Sequence, residues 1–232
     1  MKTVFILVEP AVPENIGASA RAIKTMGFNE LRLVNPGNHL ANEAKWLAHA
    51  SGEILEDAKV FSTLEEATKD IDFLVASSAK KRNIKHDYYP IEEVSQIIEN
   101  KKEIINTIGI VFGREESGLT NSEINLCDIV SFIPLHTTYP SLNLSQAVML
   151  YAYIFSTNPI TNINYSAFKE GKEEYRGFRN LKNDISISLK KIGIKIENPI
   201  YNRILERISV LSKNDLHLIH SVSNKIVNKL NK

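Results

Sequence analysis

The sequence predicts an α/β fold with a mainly parallel sheet, followed by a smaller helical part, and three observations carry that prediction. Short β-branched and aromatic runs alternate with amphipathic segments over the first 156 residues. Several of those runs are apolar throughout, as strands buried on both faces of a parallel sheet are. Beyond Thr157 the strand pattern stops and polar segments of helical period replace it.

Val4–Val8 is the first continuous apolar strand. Asn15 to Met26 reads as a helix, with Ile16, Ala20, Ile23 and Met26 near helical spacing and Gly27 as its stop. Leu31–Val34 is a second strand, closed by Asn35-Pro36-Gly37. Glu43–Ala50 is helical, and Thr63–Lys69 is a short helix whose Thr63 cap is followed three residues on by Glu66. Asp72–Ala76 is a buried strand, Ile91–Asn100 a helix, and Thr107–Phe112 a strand entering a glycine loop. Ile129–Ile133 is the last strand and Leu144–Phe155 the last helix of this unit. Thr157–Ser166, rich in Thr, Asn and Pro, reads as a linker. Helices are then expected near Glu173–Lys191, Pro199–Leu211 and Lys213–Leu230. The chain thus divides into residues 1–156 and a helical extension, 157–232.

Composition narrows the class. At 232 residues, 43% hydrophobic and 24% charged, the chain suits one ordinary α/β domain with an extension. Its single cysteine, Cys127, excludes an intramolecular disulfide and argues against a thiolate metal cage. His49, His217 and His220 form no metal-ligand pattern, so no metal is expected. Trp46 is expected in the core, where tryptophan is commoner than as a stacking platform. Val4–Val8 is too short to span a membrane and no small-residue cleavage site follows it, which predicts a cytoplasmic protein with no membrane partner. Net charge is only +1, but from Thr157 onward 14 Lys and Arg stand against 7 Asp and Glu. That asymmetry fits a polyanionic partner or a solvated helical face, and charge alone leaves both open.

Ligand sites in parallel sheets lie at the carboxyl ends of the strands. Glu9–Asn15, Ser77–Ala79, Gly113–Leu119 and Pro134–Asn143 all fall there. In Asn15-Ile16-Gly17-Ala18-Ser19-Ala20-Arg21 the small Gly17 and Ala20 let a backbone or ligand approach, and Arg21 could grip a phosphate as a planar fork. An Asn cap and a surface arginine are the plainer alternative. The loop Gly113–Gly118 lacks the Gly-Lys-Ser/Thr ending of a phosphate loop and lacks the dinucleotide fingerprint. It fits either a backbone-lined pocket for an adenosine-like ligand or a plain turn before a helix. Around Pro140–Val148, Ser141 or Asn143 could cap a helix, or the loop could close over a ligand. Lys80, Lys81, Arg82 and Lys85 directly follow Ser77–Ala79 and could track an RNA backbone, with Tyr88 or Tyr89 available to stack.

Taken in order, Asn15–Arg21, Gly113–Leu119 and Ser141–Ser145 resemble the motifs of the SPOUT-class methyltransferases, in their SpoU/TrmH branch. Val8-Glu9-Pro10, Ala22–Gly27, Leu33–Pro36 and Phe112–Glu115 extend the likeness, which covers about residues 1–156 and touches the extension at Leu189–Asn198. The resemblance implies a C-terminal trefoil knot in the α/β domain, which periodicity could not show. It implies S-adenosylmethionine as cofactor, a homodimer, and methylation of a ribose 2′-hydroxyl of tRNA in the anticodon loop. Methylation of rRNA, base methylation and a non-catalytic RNA-binding protein are the alternatives. The cofactor residues it implies are Ser77 (where relatives commonly carry Thr), Ser78, Ala79, Gly113, Ile133, Ser141, Leu142 and Asn143. Arg21 would be catalytic, with Asn15, Glu115 and Asn143 orienting it and the loops. A guanidinium stays protonated, so Arg21 would orient a phosphate and stabilise the developing alkoxide rather than act as base.

Overall fold

The computed structural model describes residues 1–79, 87–136, 142–157 and 177–230. Seven strands run parallel in one sheet: β1 Lys2–Val8, β2 Leu31–Val34, β3 Lys59–Phe61, β4 Phe73–Ser77, β5 Tyr88–Pro90, β6 Thr107–Phe112 and β7 Ile129–Phe132. Their spatial order is β3-β2-β1-β6-β4-β7-β5. β1, β6, β4 and β7 occupy the middle, which is why their runs are apolar throughout: each has a helix layer on both faces.

On one face Phe5, Leu7, Phe73, Val75, Ile110, Phe112 and Ile129 pack against α1 (Pro13–Thr25), α5 (Ile91–Glu99) and α7 (Leu144–Thr157). On the other, Val4, Ile6, Leu74, Ala76, Val111 and Val130 meet α4 (Leu64–Thr68) and α6 (Asn121–Leu126). Alternate residues of one strand thus feed two cores. α2 (Asn42–Ala48) and α3 (Gly52–Glu56), joined by a 3-10 turn at His49–Ser51, lie beside α1. α8 (Phe178–Lys191), α9 (Pro199–Val210) and α10 (Lys213–Leu230) complete the fold.

The expected elements are present within two residues of their bounds, except that the helix expected from Glu173 is described from Phe178; its expected start and the expected linker at 157–166 lie, beyond Thr157, outside the described residues. Thr63 caps α4 as anticipated, accepting from the Glu66 amide. The short β3, β5, α3 and α6 were not anticipated. Trp46 is not in the core: it is 76% exposed. The interface it was expected to fill belongs to Ala44 and Ala48, because α2 lies so close to α1 that a Cβ on Gly17 would stand 2.0 Å from the Ala44 carbonyl oxygen. Small residues are the only ones that fit there, and Trp46 falls on the opposite side of the helix.

The helical extension is not an appendage. Phe178, Leu181, Ile185, Leu189, Tyr201 and Ile208 belong to the same buried cluster as the α1 face of the sheet. Asp128, just before β7, is buried and accepts from the Leu74 amide at 2.8 Å, from Ser209 of α9 at 3.3 Å and from the Lys182 ammonium of α8. Lys101, also buried, donates to the Leu211 carbonyl after α9. These contacts sit at the amino ends of β4 and β7. Along the outer edge, Asp87 ahead of β5 pairs with Arg203 and Arg207, and its amide donates to Glu206.

Candidate functional site

Because the sheet is parallel, the four stretches singled out in the sequence leave the same edge, from the carboxyl ends of β1, β4, β6 and β7. Those four strands are consecutive neighbours, so the stretches meet over the middle of the sheet.

Glu115 ties the first to the third. Its carboxylate accepts from the Ala11 amide at 3.3 Å, the Val12 amide at 3.4 Å and Asn15 Nδ2 at 3.0 Å. Burial opposes its ionisation, but the bonds from Asn15 and the backbone amides outweigh it and hold its pKa below the usual carboxylate value. Asn143 ties in the fourth stretch, donating Nδ2–H to Asn15 Oδ1 at 2.7 Å. Asn143 also caps α7, its Oδ1 accepting from the Ser145 amide at 2.9 Å and the Ser145 hydroxyl at 2.7 Å. One side chain thus both caps α7 and joins the fourth stretch to Asn15. Asn15 is not a cap: α1 begins two residues earlier, at Pro13.

The glycine loop is closed by its own backbone. A Cβ on Gly113 would lie 2.2 Å from both the Gly118 carbonyl carbon and the Leu119 nitrogen, and Gly118 has φ +68°. Gly113 is required by the turn itself. Arg114 clasps the loop: its guanidinium forks onto Glu9 at 2.8 and 2.7 Å and onto Glu123 at 3.1 and 3.1 Å, and it donates to the Gly118 carbonyl at 3.3 Å. The hydrogen bonds to Glu9 and Glu123 raise its pKa further above the ordinary arginine value. Glu9 holds this pose in the left-handed region, φ +47°. The sequence reading did not single out Glu123, yet Thr120 and Glu123 form a capping box whose pattern is legible.

Beside this network is a cleft lined by Ser77, Ser78, Ala79, Ile133 and Leu142, five of the residues named from sequence, with Leu135 and Ala147 added by the fold. Gly113, Asn15 and Glu115 are not among its lining residues. Arg21 is exposed on α1 and makes no hydrogen bond or ion pair among the described residues; Asn15 and Glu115 bond each other and the loops rather than orienting it. Tyr88 and Tyr89 lie half-buried in the edge strand β5, paired with β7. Ser141, Lys80, Lys81, Arg82 and Lys85 lie outside the described residues. Among the described residues no group of three or more His, Cys, Asp and Glu could hold a metal, and no helix is long and apolar enough to cross a membrane.

Comparison with known proteins gives a consistent answer. The sequence profile of the SpoU rRNA methylase family matches residues 2–153. The uncharacterized tRNA/rRNA methyltransferase LasT of Escherichia coli is 37% identical over 232 residues, covering 100% of both chains. The tRNA (cytidine-2′-O-)-methyltransferase TrmJ of Methanocaldococcus jannaschii is 41% identical over 72% of this chain and 75% of its own. Among solved structures, TrmJ from Z. mobilis superposes with a TM-score of 0.66 at 26% identity, covering 97% of this chain and 99% of that one.

Proposed function

The chain belongs to the SpoU rRNA methylase family, and on that footing we propose that it transfers the methyl group of S-adenosylmethionine to a ribose 2′-hydroxyl of tRNA, in the anticodon loop. The observation that carries the reading is the meeting of four strand-end stretches over adjacent strands, beside a cleft of suitable chemistry. Ser77 and Ser78 offer hydroxyls while Ile133, Leu135, Leu142 and Ala147 offer apolar walls, a set that fits the flat base and polar ribose of an adenosine. Bound there, S-adenosylmethionine supplies an electrophilic methyl group on a positively charged sulfur.

Ser77, Ser78, Ala79, Ile133 and Leu142, with Ser141 by family resemblance, hold the cofactor. Gly113 and Asn143 act by shaping the loops around it, and the Glu115–Asn15–Asn143 chain fixes those loops relative to one another. Arg21, exposed and without a hydrogen bond or ion pair among the described residues, grips a phosphate of the target nucleotide with its fork and stabilises the alkoxide as a phosphate oxygen or water takes the proton. Holding the ribose oxygen in line with the methyl group accounts for a large share of the acceleration, on the order of 7–11 kcal/mol in favourable cases. Lys80, Lys81, Arg82 and Lys85 are assigned to the RNA backbone. With this reading go a trefoil knot in the C-terminal part of the sheet domain, a cytoplasmic location and a homodimer. Exposed Val12 ahead of α1 and Leu150 and Tyr153 on α7 support a partner surface there.

The test is methyl transfer from radiolabelled S-adenosylmethionine to bulk tRNA and to rRNA, followed by nuclease digestion and nucleoside analysis. Label in a 2′-O-methylnucleoside from tRNA is expected, and Arg21→Ala abolishes it. Label confined to rRNA moves the substrate and keeps the chemistry; label on a base, or no cofactor binding at all, overturns the reading.

A further inference from the structure

Three hydroxyls converge under the floor of the cleft. Ser77 and Ser131 are register partners at the ends of β4 and β7, so their side chains leave the same face of the sheet. That is the face where Phe73, Val75 and Ile129 pack. Tyr151 lies one helical turn beyond Ala147, a lining residue of the cleft, and is fully buried with its ring edge-on to Phe112 at 5.2 Å. Its hydroxyl has those of Ser131 and Ser77 as hydrogen-bonding neighbours. Neither Tyr151 Oη nor Ser131 Oγ completes a bond of normal geometry among the described residues, although Ser131 is fully buried. Burial raises the Tyr151 pKa to about 12, so the phenol keeps its proton and acts as a donor.

Counting protons gives the cluster a direction. Each hydroxyl brings one donor. Tyr151 and the two serines joined in a chain form two internal bonds, which leaves one O–H over. Around the cluster stand apolar side chains, and Ser77 is the one member that opens to the cleft. In the order Tyr151 to Ser131 to Ser77 each hydroxyl donates to the next and the surplus donor emerges at Ser77; the opposite order would leave an unpaired O–H on fully buried Ser131, which burial penalises. We propose that Tyr151 and Ser131 form a buried hydroxyl relay that holds Ser77 as a hydrogen-bond donor toward an acceptor atom of the bound nucleoside. Tyr151 is then a positioning residue for the cofactor. The inference rests on the assignment of this cleft to S-adenosylmethionine made above.

Binding of S-adenosylmethionine to the full chain, measured by calorimetry for Tyr151→Phe, Ser77→Ala and the double variant, tests it, with thermal unfolding of each free protein alongside. A neutral hydrogen bond of ordinary strength predicts affinity about three- to tenfold weaker in each single variant. The double variant binds no more weakly than Ser77→Ala alone, since both act through one bond. The unfolding temperature of Tyr151→Phe stays level or rises, and in turnover the KM for the cofactor rises while kcat holds. Should Tyr151→Phe fail to fold, Ser131→Ala reads the same relay. Wild-type affinity in Tyr151→Phe, or additive losses in the double variant, overturns the relay while the cofactor assignment stands. Absence of binding by the wild-type protein overturns both.

Discussion

Glu115 serves three donors from one carboxylate, and each lies about a hundred residues away in the chain. Glu115→Gln keeps one acceptor oxygen but turns an amide NH2 toward groups that themselves donate. It is expected to lower stability by about 1 kcal/mol, the usual size of a lost helix-end anchor, and to lower methyl transfer further by loosening Asn15 and Asn143; thermal unfolding and turnover measured together separate the two. Among the described residues Arg21 makes no comparable structural bond, so Arg21→Lys is expected to leave the unfolding temperature alone and reduce turnover on the order of tenfold or more through loss of the fork. Near-normal turnover would rule out a bidentate grip on phosphate. The family motifs single out Asn15, Glu115 and Asn143, and the cap at Asn143 is legible locally as well. That Asn15 and Glu115 bond each other is a long-range fact no local pattern contains.

At the level of elements, α1 and α2 are matched by the smallest residue available. Gly17→Ala places a methyl group where the Ala44 carbonyl already stands, so the two helices must move apart. Overpacking of this kind costs about 1–3 kcal/mol, readable as a lower denaturation midpoint with unchanged slope. The sequence reading anticipated a close approach at Gly17 but left open whether a backbone or a ligand arrives; it is the backbone of α2. The same crowding explains why Trp46 was misplaced: its hydrophobicity favoured the core, while the geometry of two touching helices admitted only alanine. β3 and β5 escaped because three residues are too few to show a period, and β5 carries Pro90 at its end. α6 could have been found from Thr120 and Glu123 alone.

Across the whole molecule the two ends of the sheet do different work: the carboxyl edge gathers the site, and the amino edge fastens the extension through Asp128, Lys182 and Lys101. Burial lowers the Lys101 pKa from 10.5 to about 8, opposed by the charge of Asp128. A depressed lysine pKa means the folded state suffers from the charge below about pH 8 and is relieved as pH rises from about 8 toward 10.5. Lys101→Met carries no such penalty, so the unfolding temperature of the wild type should gain on that of the variant between pH 7 and pH 10; a constant gap would show that the buried amine stays protonated throughout and that its pKa is not depressed. The basic surplus of the extension was plain in the sequence. Its union with the main core was not, because Phe178 and Leu181 look like any amphipathic helix until their partners are known. The Glu115–Asn15–Asn143 chain has a further consequence for synthesis. Its bonds join residues 100 and 128 positions apart, and the last member stands at the start of α7. A nascent chain emerging N-terminus first has strands and helices long before it has this junction. The loops at the carboxyl edge can therefore be fastened to one another only after nearly the whole sheet domain has left the ribosome, so this junction is among the last parts of the domain to be completed during synthesis.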